Sequence, residues 1–137
     1  MRVYVDTSVV LRVLFREPNA LPEWGQWTEA YASRLWFTEA LRTLDRLRLL
    51  GAINDEQVAQ RRRDIELVHS VLHIVPVSES ILHRAGEAYS TVIGTLDAIH
   101  LATAIHVRDS GGLDALLTHD VQLATAATAS GLLVRGT

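Results

Sequence analysis

Along the 137 residues, short apolar and β-branched runs alternate with longer stretches whose apolar positions recur every three or four residues. The first run, "RVYVD" (2–6), ends in an acid, and "TSVVLRVLF" behind it has the spacing of a helix laid on a sheet. After Pro18, Asn19 and Pro22, with Trp24 and Trp27 at helical spacing, "YASRL" (31–35) predicts a second strand. From Trp36 to Leu50, Phe37, Ala40, Leu41, Leu44 and Leu47 repeat with helical period, and Gly51 supplies a stop. Asn54 and Gln57 form a capping-box pattern for a helix reaching residues 69–72, before a third strand, "HIVPV". Ser78 caps a helix with Ile81, Leu82, Ala85 and Tyr89 inward, and "STVIGT" is a loop before the helix that holds Asp97. "LDALLT" is then a strand, "HDVQLATAATAS" a helix stopped by Gly131, and "LLVRG" a last strand. Such alternation predicts an α/β fold with a mostly parallel sheet covered on both faces.

The length is that of one domain, predicted over residues 1–137, with no internal repeat or low-complexity tract. Hydrophobic content of 48% and charged content of 21% are those of a soluble globular protein, and no apolar run is long enough to cross a bilayer. Asp6 and Arg12 interrupt the apolar N-terminus, which is therefore not read as a signal peptide. Absence of cysteine removes disulfides, thiolate metal sites and thiol nucleophiles, and suits the cytoplasm. With a net charge of −3, any polyanion needs a local foothold. All thirteen basic residues are arginine, which codon bias in a GC-rich genome explains; the missing lysine and missing GxxxxGK also argue against P-loop and receiver-domain chemistry.

In an open parallel sheet, ligands bind at the carboxyl ends of the strands, where loops and helix N-termini converge. Asp6 closes the first strand, Glu39 lies in the first turn after the second, Asp120 follows "LDALLT", and Asp97 opens the helix leading to that strand, so four of the sixteen acids share one rim. Each has a plain explanation taken singly. Asp6 and Asp120 suit N-caps, Asp97 suits a helix dipole, and Glu39 can pair with Arg42. Taken jointly they are costly, because two like charges about 4 Å apart repel by about 4 kcal/mol at an effective dielectric near 20. Such a group calls for a cation or a shared proton. Hard oxygen donors without cysteine suit Mg2+ or Mn2+, which polarise phosphoryl oxygens and acidify a bound water.

"VYVDTSVVLRVL", "TEALRTLDRLRLLG", "GTLDAIHLATA" and "LLTHDVQLATAA", in that order, resemble the PIN domain and, more narrowly, VapC-type toxin ribonucleases of bacterial toxin–antitoxin pairs. "DTS" alone is weak, whereas "LDAIHLATA" followed by "LLTHD" is specific. The resemblance implies a three-layer α/β/α sandwich with a five-stranded parallel sheet. Its acids fall on Asp6, Glu39, Asp97 and Asp120, the four already gathered by topology, with Thr7 and Thr118 as supporting polar positions. It implies Mg2+- or Mn2+-dependent hydrolysis of RNA phosphodiesters to 5′-phosphate and 3′-hydroxyl ends, an antitoxin partner and a homodimer. Asp6, Glu39 and Asp97 would hold the metal, with Asp120 completing the pocket.

Two other functions fit parts of the pattern. A haloacid-dehalogenase-like phosphatase also starts from an aspartate after its first strand, but this chain has Ser8 where that motif places a second aspartate. A catalytically idle PIN-like interaction module would be favoured by lost acids, and none is lost. Arg42 and Arg46 share a face of the Glu39 helix, where they either meet RNA phosphates or pair with Glu39 and Asp45. "QRRRD" (60–64) reads as a solvated helix face. His69 and His73 have i, i+4 spacing, but Ser70 replaces the glutamate of HExxH, so they read as surface or core residues. His100 and His119 lie within three residues of proposed ligands, and a role beside the site competes there with an ordinary core or surface role. The three tryptophans read as core or interface residues, with Trp24 and Trp27 assigned to antitoxin contact.

Overall fold

The computed structural model describes residues 1–137. Strands β1 (Arg2–Val5), β2 (Glu29–Ser33), β3 (His73–Val75), β4 (Ala115–Leu117) and β5 (Val134–Arg135) form one sheet in the order β3-β2-β1-β4-β5, all pairs parallel. Six helices complete the chain: α1 (Thr7–Leu14), α2 (Leu35–Leu49), α3 (Asp55–Val71), α4 (Glu79–Ala85), α5 (Thr95–Gly111) and α6 (Val121–Ala129). None is long and apolar enough to cross a membrane.

Side chains alternate across a strand, and β1 uses both faces. Val3 and Val5 pack with Val9, Trp36, Ala40 and Ile65 from α1, α2 and α3, while Tyr4 points oppositely among Leu101, Ala104 and Leu123 from α5 and α6. Ile81 of α4 meets Ile99 and Ala102 of α5. The result is the predicted α/β/α sandwich with five parallel strands. All of its central strand is apolar and buried from Val3 to Val5, as a strand covered on both faces requires.

Local signals start and stop the helices. Asp6 caps α1, Asp120 accepts from the Leu123 amide at 2.8 Å to cap α6, and Ser78 accepts from the Ile81 amide at 3.2 Å to cap α4. Asn54 and Gln57 make the predicted reciprocal capping box, at 2.8 and 2.9 Å. The helices bearing Glu39 and Asp97 start on Arg34 and Gly94 without any capping side chain.

Boundaries shift: β3, β4 and β5 are shorter than their predicted runs, Leu35 opens α2 instead of closing the second strand, and Glu39 falls just beyond the first turn of α2. Three further differences have a physical reason. β2 begins at Glu29 rather than Tyr31, because Glu29 and Ala30 pair in register with Arg2 and Val3; side-chain type does not reveal that partner. α4 ends at Ala85, leaving Leu82 exposed and Tyr89 beyond the helix, where the Arg84 guanidinium covers its ring at 4.4 Å. α6 starts at Val121, two residues later than predicted, because Asp120 is its cap. Within "QRRRD", Arg61 pairs with Asp64 at 2.8 Å and Arg62 with Glu66 at 3.1 Å, as a solvated face allows.

His69 joins α2 to α3. The indole N–H of fully buried Trp36 donates to its Nδ1 at 3.1 Å, and its ring lies 4.4 Å from that of Phe37. Burial, followed by the Arg34 charge, lowers its pKa from the ordinary value near 6.5. The folded state therefore binds this proton less readily than the unfolded chain, so the stability contributed by neutral His69 is present above about pH 6.5 and lost as pH falls through the folded value. We expect acidification from pH 7.5 to 5 to lower the melting temperature of the wild type relative to that of His69→Gln, whatever the other titrating groups add to both. Parallel pH profiles for the two proteins in thermal denaturation would refute the assignment.

Candidate active site

The strand order reverses between β1 and β4, and the acids gather at the carboxyl end of that switch point. Asp6 follows β1, its amide donating to the Leu117 carbonyl of β4 at 2.9 Å. Asp120 follows β4, Glu39 lies in α2, and Asp97 in the first turn of α5. Asp6 and Asp120 thus cap helices and stand on the rim at once, so these two explanations do not compete.

Asp6 is held by one oxygen. Its Oδ2 accepts from the Ser8 hydroxyl at 2.6 Å and the Thr118 hydroxyl at 2.9 Å. Each hydroxyl in turn accepts a backbone N–H from the turn after β4: His119 to Ser8 at 3.0 Å, and Asp120 to Thr118 at 3.0 Å. Glu39 is likewise held by Oε1, which accepts from Thr7 at 2.8 Å and meets His100 Nε2 at 2.6 Å. Asp120 spends Oδ1 on its cap. Protein donors leave Oδ1 of Asp6, Oε2 of Glu39 and Oδ2 of Asp120 without a hydrogen bond, and Asp97 receives none at either oxygen.

The electrostatics follow. For Asp97, burial and then the charges of Asp120 and Asp6, with a smaller push from Glu39, outweigh the attraction of His100 and raise its pKa to about 6. Burial also pushes Glu39 up, but the His100 hydrogen bond and charge and the Thr7 hydroxyl hold it below its ordinary value. Burial lowers His100, but the Glu39 hydrogen bond and the Asp6, Glu39 and Asp97 charges raise it overall. Three acids are anchored, and Asp97 carries the unrelieved repulsion.

Thr7 and Thr118, the two supporting positions, are buried at the rim. Arg42 and Arg46 are not drawn into it. Arg42 pairs with Asp45 at 3.1 Å, Arg48 takes the other oxygen of Asp45 at 2.8 Å, and Arg46 shares a groove of about 300 Å³ with Arg42, Thr43 and Leu49. Trp24 and Trp27 meet edge to face at 5.1 Å and pack on the α1–α2–α3 core. His73 stacks on Tyr31, while His69 accepts from the Trp36 indole. His119 Nδ1 donates to the Gly136 carbonyl at 2.7 Å, tying the end of β5 to the rim. Gly136 suits that approach, since at φ 109° a side chain there would run into the Thr118 carbonyl.

Ser8, Ser33 and Tyr4 are the site residues that the sequence reading did not assign. Ser8 had one available signal, standing two residues after Asp6 in "DTS", where a second acid would otherwise be sought. Tyr4 and Ser33 had none, because a tyrosine and a serine in strands look like sheet residues.

No three carboxylates or histidines close on one point as a metal shell. Hydrated Mg2+ does not require this, since it is bound through one or two carboxylates and keeps several waters. Unanchored oxygens on all four acids, and burial and then acid–acid repulsion that together lift Asp97 to about 6, are the donor set and the uncompensated negative charge that a hard divalent cation relieves.

Fold and rim together define a class: an α/β domain with an acidic pocket at the switch point of a five-stranded parallel sheet. The sequence profile of the PIN domain matches residues 3–128, and the chain belongs to the PIN domain family. Ribonuclease VapC35 of Mycobacterium tuberculosis is 29% identical over 135 residues, covering 96% of this chain and 94% of that protein. Ribonuclease VapC47 of the same species is 30% identical over 128 residues, covering 88% and 86%. Among solved structures, VapBC2 from Rickettsia felis bound to a promoter DNA fragment matches with a TM-score of 0.66 over 98% of both chains at 14% identity. Mycobacterium tuberculosis VapC20, described as a Sarcin-Ricin loop cleaving toxin, matches with a TM-score of 0.64 over 96% of both at 16% identity. At such identities these structures share the fold.

Because Asp97 has a folded pKa near 6 against about 3.8 when free, its ionisation opposes folding: the stability associated with this group is full below about pH 3.8 and is lost as pH rises through 6. Asp97→Asn therefore raises the melting temperature of metal-free protein at pH 7.5, by roughly 3 to 6 °C, and has little effect at pH 4. An unchanged or lower melting temperature at pH 7.5 in EDTA would show that burial and the neighbouring acids do not disfavour the ionised Asp97.

Proposed function

We propose that the protein is a Mg2+- or Mn2+-dependent endoribonuclease and the toxin of a toxin–antitoxin pair, acting in the cytoplasm as a homodimer with residues 1–137 as one PIN domain. One observation carries the reading: four acids remote in sequence meet at the switch point with an unanchored oxygen each and with Asp97 lifted to about 6. Family membership and the two relatives named as ribonucleases support it. The VapBC complexes among its structural neighbours support an antitoxin partner.

In this reading Asp6, Glu39, Asp97 and Asp120 hold the cation, directly or through water. Bound there, the cation polarises a phosphoryl oxygen and makes water a better nucleophile at neutral pH. Thr118 and Ser8 orient the Asp6 carboxylate, and Thr7 orients that of Glu39. The two hydroxyl contacts to Asp6 and the bonds to Glu39 hold each side chain in one geometry, so little reorganisation remains when charge develops on the phosphate. Arg42 and Arg46 lie about 4.5 and 10.5 Å along α2 from Glu39, a spacing suited to backbone phosphates flanking the cleaved one. Products carry 5′-phosphate and 3′-hydroxyl ends.

Two outcomes are expected. Purified, antitoxin-free protein cleaves RNA with Mn2+ or Mg2+ and not in EDTA, and Asp97→Asn lowers the rate at least a hundredfold while circular dichroism stays native. Manganese-loaded protein that leaves a broad panel of tRNA, rRNA and mRNA intact would refute the activity. Expressed without an antitoxin, wild type arrests growth and Glu39→Ala relieves the arrest. Asp6→Ala relieves it too, but also removes the α1 cap and two hydroxyl contacts, costing about 1 to 3 kcal/mol, so its cellular abundance must be measured alongside. Equal toxicity of wild type and both variants would point to another cause.

A further inference from the structure

Only 1% of His100 is exposed, and its α5 neighbours Ile99, Leu101 and Ala102 are apolar. An imidazole so placed must find partners for both nitrogens. Nδ1 meets Tyr4 Oη at 2.7 Å and Nε2 meets Glu39 Oε1 at 2.6 Å, with Asp6 Oδ1 3.7 Å away. The Ser33 amide donates to Tyr4 Oη at 3.3 Å, which leaves the phenol proton free to point at Nδ1. A neutral ring accepting at Nδ1 carries its proton on Nε2, and a cationic ring carries one there as well. In either state the N–H faces Glu39.

The chain Ser33–Tyr4–His100–Glu39 crosses the end of the sheet. Tyr4 faces the layer of α5 and α6, whereas Glu39 belongs to α2, whose buried residues Trp36, Ala40 and Leu44 join the opposite layer. Glu39 has three rotatable bonds, and Thr7 is its only other hydrogen-bond donor. Leucine or isoleucine would serve packing at position 100 but would leave the Tyr4 hydroxyl and Glu39 Oε1 each short of a partner.

We propose that His100, braced by Tyr4, is a positioning residue that fixes Glu39 by Oε1 and so presents Oε2 for the divalent cation. This rests on the assignment of the acids as a cation site. Thr7 restrains the same oxygen from α1, and His100 supplies the second restraint that sets the carboxylate plane.

Mn2+ binding by calorimetry and RNA cleavage kinetics are compared for wild type, His100→Leu, His100→Gln and Tyr4→Phe. His100→Leu is expected to weaken Mn2+ binding by about 10- to 100-fold and to lower kcat similarly, with KM for RNA within twofold of wild type. His100→Gln, which retains an amide donor for Glu39, recovers most of the Mn2+ affinity, and Tyr4→Phe loses about threefold or more. Leu and Gln variants that lose Mn2+ affinity equally would reduce His100 to packing and overturn the proposal. So would folded variants that all bind Mn2+ within twofold of wild type. Should neither His100 variant fold, Tyr4→Phe decides, and an unchanged Mn2+ affinity there overturns the proposal. Wild type that neither binds Mn2+ nor cuts RNA would instead sink the cation-site reading, a result separable from wild type that does both alongside insensitive variants.

Discussion

Like charges brought together at one edge of a sheet must be restrained, and here the restraint is applied to one oxygen of each anchored acid. Asp6 is gripped at Oδ2 by two hydroxyls, Glu39 at Oε1 by Thr7 and His100, and Asp120 at Oδ1 by a helix amide. A carboxylate held in this way keeps its direction while its other oxygen stays available. Burial and the remaining repulsion fall together on Asp97, which has no hydrogen bond to offset them and whose pKa rises accordingly. The rim is therefore ordered but electrostatically incomplete, the condition in which a bound cation contributes most to both stability and chemistry.

The grip on Asp6 also closes the fold. β1 and β4 pair in parallel although more than a hundred residues separate them, and no hairpin sets their alignment. Ser8 and Thr118 take backbone protons from the turn after β4 and pass their own to a carboxylate at the end of β1. The Ser8 hydroxyl, the buried Thr118 hydroxyl and the buried Asp6 carboxylate satisfy one another there, so the polar groups that would otherwise weaken the core align its two central strands. Stability and the candidate chemistry use the same atoms.

Across the sheet, the tyrosine, histidine and glutamate link the two helical layers at the carboxyl end of the strands. Six buried residues are polar or charged: Asp6, Thr7, Ser33, His100, Thr103 and Thr118. Five of them belong to the networks around Asp6 and Glu39, while Thr103 bonds to the Ile99 carbonyl of its own helix. Buried polarity in this protein is concentrated at the rim. The basic residues stay outside, where Arg42 and Arg48 share Asp45, and Arg61 and Arg62 pair with Asp64 and Glu66 along α3.

Much was legible along the chain because its signals are local. Hydrophobic periodicity revealed all five strands and the helices between them, and Ser78, Asn54 with Gln57, Gly51 and Gly131 marked ends that hydrogen bonding within a few residues decides. The four acids could be gathered because topology places the carboxyl ends of parallel strands together. Tertiary structure alone decided where β2 begins, since its first residues are defined by pairing with β1, and where α4 stops. It also decided which partner each acid takes: Glu39 pairs with His100, 61 residues away, and not with Arg42, one turn along its own helix. Periodicity reports which face a residue presents to its neighbours in sequence. It carries no information about which distant hydroxyl or imidazole will stand opposite, because that contact exists only once the two layers have closed on the sheet.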